Sequence, residues 1–199
     1  WKAKYGEPVV PDTSEVPGLP EGWCWATMGA LTVWGPQNGL YVPRTKYGRG
    51  TPILRIDDYQ SNWSRASGDL HRIDIPAEDV LRYGLSTGDI VINRVNSPSH
   101  LGKTLAILDR HLPAVFESNM MRFRLSGAVL PSYIHGYLSS IDGKARLTTN
   151  AKWAVNQASI NQGDVGTTAV PLPPEREQRR IAVEVERLLS SAHQVAAIA

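Results

Sequence analysis

The run Leu101-Gly102-Lys103-Thr104 resembles the end of a phosphate-binding loop, whose full pattern is G-x-x-x-x-G-K-[ST]. The first glycine of that pattern would stand where the chain has Ser97. The residues after Thr104 have strand character, whereas the loop must lead into a helix. Because half of the pattern lacks the backbone cradle for phosphates, the sequence argues against nucleotide binding.

Histidine, cysteine and acidic residues show no spacing typical of a metal site or of nucleophilic catalysis. The five histidines are scattered, and the single cysteine, Cys24, is remote from them. Asp57 and Asp58 are adjacent acids, but aspartates that follow a strand commonly cap a turn. The sequence contains no Gly-x-Ser-x-Gly elbow and no glycine-rich dinucleotide fingerprint. We therefore expect a protein that is not an enzyme and that uses no cofactor and no metal.

The segment Asn93-Arg94-Val95-Asn96-Ser97 carries chemistry suited to recognition. Arginine can contact guanine through O6 and N7, and asparagine can contact adenine through N6 and N7. Arg94 and Asn96 follow a predicted strand, so a rigid element would present them to a DNA groove. The alternative is a loop in which the asparagines cap their own turns. The spacing alone leaves both interpretations open.

Two stretches combine cations with small polar residues and lack acids. The first lies between Gly35 and Asp57, and the second runs from Lys144 to Gly163 and includes Trp153. Loops that contact phosphates have this composition, although solvated loops can share it. We expect the cations of both stretches to contact DNA phosphates from one face: Arg44, Lys46 and Arg49 in the first stretch, and Lys144, Arg146 and Lys152 in the second.

The last 30 residues predict a long amphipathic helix that follows the proline-rich run Pro171–Pro174. Apolar residues then recur at spacings that alternate between four and three, as in the a/d seam of helices that pack lengthwise. We expect this seam to face a partner helix through Ile181, Val185, Leu188, Ala192 and Val195. Charged residues between them should lie nearer the solvent, namely Arg179, Arg180, Glu184, Glu186 and Arg187.

Short apolar runs bounded by turn residues predict a sheet that short helices interrupt. The β-branched run 88–94 is the clearest strand, and residues 76–83 begin with proline and acids as short helices do. Residues 23–34 fit either a strand or the start of a helix. This order predicts an α+β domain with a mixed or antiparallel sheet, followed by a long C-terminal helix of the coiled-coil type. Further strands are expected at 51–56, 69–75, 105–108, 114–116 and 121–125, and a further helix at 131–140.

Composition limits the class of protein. Hydrophobic residues make up 42% of the 199 residues, which is enough for a folded core. No apolar run approaches the ~20 residues of a membrane span, and no signal peptide is visible. A single cysteine fits a reducing compartment, so we expect a cytoplasmic protein with no membrane partner. The net charge of +2 permits a nucleic-acid partner without requiring one.

Residues spread in order over nearly the whole chain resemble the specificity subunits of type I restriction-modification systems. The most specific pattern is P-L-P-P-x-x-E-Q-x-x-I, which runs from Pro171 to Ile181 and precedes a helix. The remaining residues of the resemblance are Leu19-Pro20-Glu21-Gly22-Trp23, Pro52-Ile53-Leu54-Arg55-Ile56, Leu85, the run from Gly88 to Ser97, Leu101-Gly102-Lys103, Asn156-Gln157 and Ser159-Ile160.

The resemblance implies a subunit without catalytic activity. In this family two recognition domains are separated by helices that form a coiled coil, and each domain reads half of a split DNA site from the major groove. Methyl transfer, ATP hydrolysis and cleavage belong to other chains. The implied partners are double-stranded DNA, the methyltransferase and restriction subunits, and a second recognition half or second copy held through the C-terminal helix. Lys103, in the shared Leu101-Gly102-Lys103 run, joins the candidate DNA-binding residues.

We expect residues 1–18 to be an irregular lead-in from a preceding helix, residues 19–173 to be the target-recognition domain, and residues 174–199 to be the start of the spacer helix. A non-methionine start and a helix without a C-cap suggest a piece excised from a longer chain. Two alternatives remain open. One is the recognition domain of a single-chain restriction-methyltransferase, and the other is a helix-mediated protein-interaction module without a role on DNA.

Overall fold

The structure is a computed structural model that describes residues 9–12, 16–60, 64–155 and 157–196. Within these ranges the chain forms short strands in four sheets, together with five α-helices. The strands are β1 (Cys24–Thr27), β2 (Thr32–Asn38), β3 (Tyr47–Leu54), β4 (His71–Ile73), β5 (Asp89–Asn93), β6 (Val95–Asn96), β7 (Thr104–Ala106), β8 (Val115–Phe116), β9 (Met120–Leu125), β10 (Lys152–Trp153), β11 (Ala158–Ser159) and β12 (Ala169–Leu172). The helices are α1 (Ala77–Tyr83), α2 (Pro131–Ser139), α3 (Ile141–Leu147), α4 (Gln162–Gly166) and α5 (Glu175–Ala196).

A four-stranded antiparallel sheet of order β2-β9-β5-β7 forms the middle of the domain. Its strand β5 is buried along its whole length. Ile90 and Ile92 of β5 belong to one core cluster, whereas Val91 between them belongs to a second. Side chains alternate between the two faces of a strand, so a run that is apolar at successive positions must be covered on both faces.

Helices cover one face of the central sheet. Ile134 and Leu138 of α2 and Val165 of α4 pack in the first core cluster with Ile90 and Ile92. Strands β1 and β12 close this side by pairing antiparallel, with Cys24 opposite Leu172. The beginning and the end of the described domain therefore meet, and α5 starts at that junction.

A three-stranded sheet of order β4-β3-β8 covers the other face. Leu54 at the end of β3 and Phe116 of β8 pack there in the second core cluster with Val91. Strand β3 pairs antiparallel with β4 and parallel with β8, so the sheets of the domain are of mixed type. The parallel pairing brings the residues after β3 beside the residues after β8.

An ion pair is buried within the central sheet, between Asp89 of β5 and Arg122 of β9. Both side chains are 0% exposed, and Arg122 Nη1 lies 3.5 Å from Asp89 Oδ2. Arg124 adds a second guanidinium, with Nε 2.8 Å from Asp89 Oδ1. Arg122 also donates to the Gly84 carbonyl at 2.7 Å and to the side-chain oxygen of Gln37. The Asp89 carboxylate thus contacts the guanidinium groups of Arg122 and Arg124, which lie next to each other on one face of β9.

The observed architecture confirms the predicted α+β class with a long C-terminal helix. The predicted strands at 88–94 and 121–125 and the helices at 76–83 and 131–140 correspond to β5, β9, α1 and α2. Residues 23–34, which the sequence left undecided, form β1 and the start of β2. Helix α5 spans 22 residues, whereas its pairing with another helix stays a prediction. Among the described residues, no helix is both long and apolar enough to cross a membrane.

Candidate nucleic-acid interface

The candidate base-reading residues lie where the chain leaves the buried strand β5. Arg94 donates its backbone N–H to the Asn119 carbonyl at 2.8 Å and accepts at its own carbonyl from Ile160 at 2.9 Å. Its guanidinium Nη1 donates to the Ser118 carbonyl at 3.2 Å. Within the described part of the chain, the buried Arg94 Nε has no hydrogen-bond partner. Arg94 is therefore held at its backbone and at one guanidinium nitrogen.

Asn96 is half-buried in β6, and its side chain has a local role. Its Oδ1 accepts the backbone N–H of Ser97 at 2.8 Å, so the asparagine caps its own turn. This is the alternative that the sequence left open beside base contact. A bidentate contact with adenine would require the same oxygen to accept a second hydrogen bond, which its two lone pairs allow. The base-reading role of Asn96 stays a prediction.

A polar loop follows Asn96, and the sequence analysis did not identify it. Ser97 Oγ and Ser99 Oγ each lie 2.9 Å from His100 Nδ1. Lys144 of α3 donates from Nζ to the Ser99 carbonyl at 3.0 Å. The run Ser97-Pro98-Ser99-His100 is a polar turn signal that could have identified this loop. Helix α3 therefore brings Lys144 beside the residues that follow β6.

Arg146 is less available than the sequence suggested. Its Nε lies 2.9 Å from Asp142 Oδ2, and the hydrogen bond from Arg146 lowers the pKa of that carboxyl group. Its guanidinium carbon also lies 5.2 Å from the centre of the Trp25 ring. The acid-free stretch that the sequence analysis considered begins at Lys144. It therefore does not include Asp142, two residues earlier, which pairs with Arg146. A helix places residues four apart on one face, which explains the pairing.

Lys152 lies on a β-hairpin beside Arg94 and is exposed. Strand β10 pairs antiparallel with β11, which pairs with β6, so Lys152, Ser159 and Val95 lie in one row across the three strands. Trp153, Ala158 and Asn96 form the neighbouring row. Neighbouring strands are ~4.8 Å apart, so Lys152 lies roughly 10 Å from Val95 at the backbone. The backbone of Lys152 therefore lies in the same small sheet as Asn96, but the two side chains belong to neighbouring rows, which face opposite sides of that sheet.

The first cation group lies beside β4. Arg44 and Lys46 are exposed in a short 3-10 helix, and the Lys46 carbonyl accepts from the Asp74 N–H at 2.8 Å. Arg49 is exposed on β3 and lies 3.3 Å from Asp74 Oδ2. Asp74 is near these cations only after β3 and β4 have paired. The expectation that this group and the second contact DNA from one face stays a prediction.

Lys103, predicted to bind DNA, makes structural contacts within the domain, and its role on DNA stays a prediction. Its Nζ donates to the carbonyls of Ile56 and Tyr59 at 2.8 and 2.7 Å, and Gln60 Oε1 lies at 3.5 Å. The ammonium group also lies 4.6 Å from the centre of the Tyr59 ring. An ammonium has three N–H donors, and these contacts occupy them. Burial lowers the pKa of Lys103, as expected for an amine held among carbonyls away from water.

Ser64 and His111 form the contact that most resembles a catalytic pair, but its hydrogen bonds argue against catalysis. His111 Nε2 lies 2.9 Å from Ser64 Oγ, while His111 Nδ1 accepts the backbone N–H of Leu108 at 2.9 Å. Arg110 Nε also donates to His111 Nε2 at 3.2 Å, and Arg110 Nη2 donates to Ser64 Oγ at 2.9 Å, so both ring nitrogens and the serine hydroxyl are engaged in hydrogen bonds with their own neighbours. Burial and the adjacent Arg110 lower the pKa of His111, which keeps the ring neutral.

Helix α5 is anchored at its first turns and exposed beyond them. Gln178 is buried, accepts the Leu130 N–H at 2.8 Å and donates to the Pro173 carbonyl at 3.0 Å. Ile181 is partly buried and packs against the first core cluster of its own domain, and its predicted contact with a partner helix stays a prediction. Val185 is 36% exposed, and its Cγ1 lies 3.9 Å from the position that a Cβ atom would have on Gly136 of α2. Val185 is therefore at the edge of the contact between α5 and α2.

Leu188, the next residue of the seam, is 53% exposed. The five charged residues predicted to lie nearer the solvent are exposed, as the heptad pattern indicated. The side chains of Ala192 and Val195 lie outside the described part of the structure. The seam is therefore divided, because its first residue packs on the domain and Leu188 remains open to a partner.

Comparison with known proteins gives relatives of one kind, although no family model matches the chain. A type I restriction enzyme MjaX specificity subunit, so named in Methanocaldococcus jannaschii, is 32% identical over 147 residues, which are 73% of this chain and 35% of that protein. The EcoKI specificity subunit of Escherichia coli is 27% identical over 158 residues, covering 78% of this chain and 34% of the relative. The StySPI specificity subunit of Salmonella potsdam is 28% identical over 173 residues, or 86% and 37%.

Solved structures share the fold. The HsdS subunit of Thermoanaerobacter tengcongensis superposes with a TM-score of 0.66 at 19% identity, over 92% of this chain and 46% of that one. A chain from a study of assembly and conformational transition in the type I R-M system gives a TM-score of 0.66 at 21% identity, over 93% and 42%. The chain is thus a relative of type I restriction enzyme specificity subunits, and it spans roughly one third of their length.

Proposed function

We propose that this chain recognises a short sequence in duplex DNA as part of a type I specificity subunit. It has a recognition role without catalysis, and other subunits carry out methylation and cleavage. The curated relatives are named specificity subunits, which supports this role. Its partners are duplex DNA, the methyltransferase and restriction subunits of the complex, and a second recognition half that contacts α5.

The observation that carries the proposal is the meeting of Arg94, Lys144 and Lys152 around β6. Arg94 leads into β6, Lys144 reaches the loop after it, and Lys152 lies on the hairpin paired to it. In this proposal Lys144 and Lys152 contact phosphates, which orients the protein on DNA, while Arg94 and Asn96 contact bases, which selects a sequence. A surface that recognises a sequence in a DNA groove requires phosphate contacts and base contacts together.

A salt titration of duplex binding tests the phosphate contacts. Each cation that neutralises a phosphate contributes roughly 0.9 to the slope of log affinity against log salt. Lys152→Ala and Arg44→Ala should each flatten the slope by about that amount. Arg187→Ala removes the same charge from the exposed face of α5 and serves as the matched control. Unchanged slopes for Lys152→Ala and Arg44→Ala would remove these residues from the interface.

A comparison of cognate and random duplexes tests Arg94 separately. A bidentate base contact discriminates by ~1–3 kcal/mol, so Arg94→Ala should reduce the preference for cognate DNA while weakening random-sequence binding much less. Asn96→Ala should act in the same direction if its oxygen accepts a second hydrogen bond. Equal losses on both duplexes would leave Arg94 as a phosphate contact. Failure of the wild-type chain to bind any duplex would overturn the proposed function.

A further inference from the structure

The hairpin of β10 and β11 carries apolar side chains that the fold does not use. Val155 is 95% exposed and Trp153 is 58% exposed. Ala154 and Gln157 exchange two backbone hydrogen bonds, of 2.8 and 3.4 Å, so the chain reverses between them and Val155 lies at the tip; Asn156 is outside the described residues. Valine is a poor turn residue, because such tips favour glycine, asparagine and aspartate. Neither packing nor turn geometry explains Val155.

The charge around the hairpin favours a polyanionic partner. No acidic residue occurs from position 143 to position 163. Lys152 precedes Trp153, and pairing through β11 places the hairpin directly beside β6 and Arg94. A two-stranded β-ribbon also fits the major groove of B-form DNA, which is ~12 Å wide. The shape, the charge and the apolar tip therefore suit the same groove.

We propose that this hairpin enters the major groove and that Val155 at its tip reads the 5-methyl group of a pyrimidine. The inference rests on the proposed function and adds a specific contact to it. In the major groove the C5-methyl group of thymine is the apolar feature that distinguishes a base pair, and apolar side chains contact it. A 5-methylcytosine presents the same group at the same ring position. Lys152 at the base of the hairpin contacts the phosphate backbone.

The expected effect is small and measurable. Removing one methyl group from an apolar contact weakens binding by about fourfold, given ~0.8 kcal/mol for a buried methyl or methylene group. The loss of affinity should appear only in duplexes in which Val155 contacts the base that has lost its methyl group. Replacement of Val155 by serine should abolish the sensitivity to the methyl group without changing the fold, because the side chain contacts almost nothing in the domain.

The test begins with duplexes that the 199-residue chain selects from a pool with a randomised centre. The selected duplexes are then recopied with uracil in place of thymine, and separately with 5-methylcytosine in place of cytosine. We expect wild-type binding to weaken about fourfold on the uracil copies, and Val155→Ser to bind the thymine and uracil copies equally. Val183→Ser is the matched control, because Val183 is 67% exposed on α5, away from the hairpin.

Each outcome decides between the two proposals. In one outcome the wild type binds the 5-methylcytosine copies with an affinity different from that for the cytosine copies, while Val155→Ser binds both equally. That result supports methyl reading and identifies modified cytosine as the source of the methyl group. Salt-dependent binding without any enrichment, or with equal affinity for all copies, overturns methyl reading and leaves DNA binding intact. The absence of duplex binding overturns both. A urea unfolding midpoint of Val155→Ser equal to that of the wild type shows that any loss is not a loss of folding.

Discussion

Replacing Asp89 by asparagine should destabilise the domain more than the loss of one hydrogen bond. Its carboxylate accepts from Arg124 Nε at 2.8 Å and Nη2 at 3.0 Å and from the Ser86 N–H at 2.9 Å. Arg122 Nη1 lies 3.5 Å away, and neither Asp89 nor Arg122 is exposed. Asparagine preserves the shape, so no cavity forms. It removes the negative charge and leaves two guanidinium groups facing an amide.

The size of the effect follows from the burial of Arg122. Removing one partner of a buried ion pair costs about 3–5 kcal/mol, because the remaining charge has lost its compensation. A domain of this kind is stabilised by about 5–15 kcal/mol in total. With a urea dependence of about 1–3 kcal/mol per molar, the unfolding midpoint should fall by roughly 2 M. Burial lowers the pKa of Arg122 while Asp89 acts to raise it, as expected if the carboxylate sustains that charge.

Equilibrium unfolding in urea measures the difference, with Asp74→Asn as the matched control. Asp74 also pairs with an arginine, Arg49, but both side chains are largely exposed. Exposed pairs contribute little, so this variant should leave the midpoint nearly unchanged. Equal midpoints for Asp89→Asn, Asp74→Asn and the wild type would refute the view that the buried pair holds β5 and β9 together. A changed urea slope would point to a loss of two-state unfolding.

Four further outcomes are expected. Lys103→Met should cost about 1–3 kcal/mol in urea unfolding by orphaning two carbonyls, while the salt slope of DNA binding stays as in the wild type. Gln178→Ala should cost a similar ~1–3 kcal/mol, because the Leu130 N–H loses its acceptor; an unchanged midpoint would exclude this anchor. Burial lowers the pKa of His111, so below pH ~6.5 the unfolded chain binds more protons and stability falls; His111→Gln should flatten that fall. Leu188→Asp should abolish association through α5 in sedimentation experiments without altering the unfolding midpoint.

The central elements could be predicted because local pattern and tertiary fold agree there. The residues Ile90-Val91-Ile92 are β-branched and apolar, and they form the middle of the strand that is buried on both faces. The pairing of β1 with β12 could not be predicted, because Cys24 and Leu172 are far apart in sequence and each strand is short. Alternation within four residues is too weak a signal without knowledge of the strand opposite.

The candidate site shows the same division between local and long-range information. Arg94 was found because it directly follows a clear strand. The partners of Arg49 and Lys103 were not found, because Asp74 and the Tyr59 carbonyl approach them only through pairing and loop closure. A count of acids along the sequence measures neighbours in the chain, whereas the availability of a cation depends on neighbours in space. Lys152 is exposed, and the two strands next to it in its sheet, Ala158–Ser159 and Val95–Asn96, contain no acid.

Helix α5 connects the proposed DNA surface to whatever packs on its exposed half. Gln178 and Ile181 fix its first turns to the domain, and Leu188 lies about 10 Å further along the axis at 1.5 Å per residue. A continuous helix fixes the orientation of its later turns relative to the domain, whereas a flexible linker would not. A second helix that packs on Leu188 would therefore be held at a set distance and angle from β6. The buried Gln178 therefore matters beyond stability, since its loss would make the distance and angle between the proposed DNA surface and such a second helix variable.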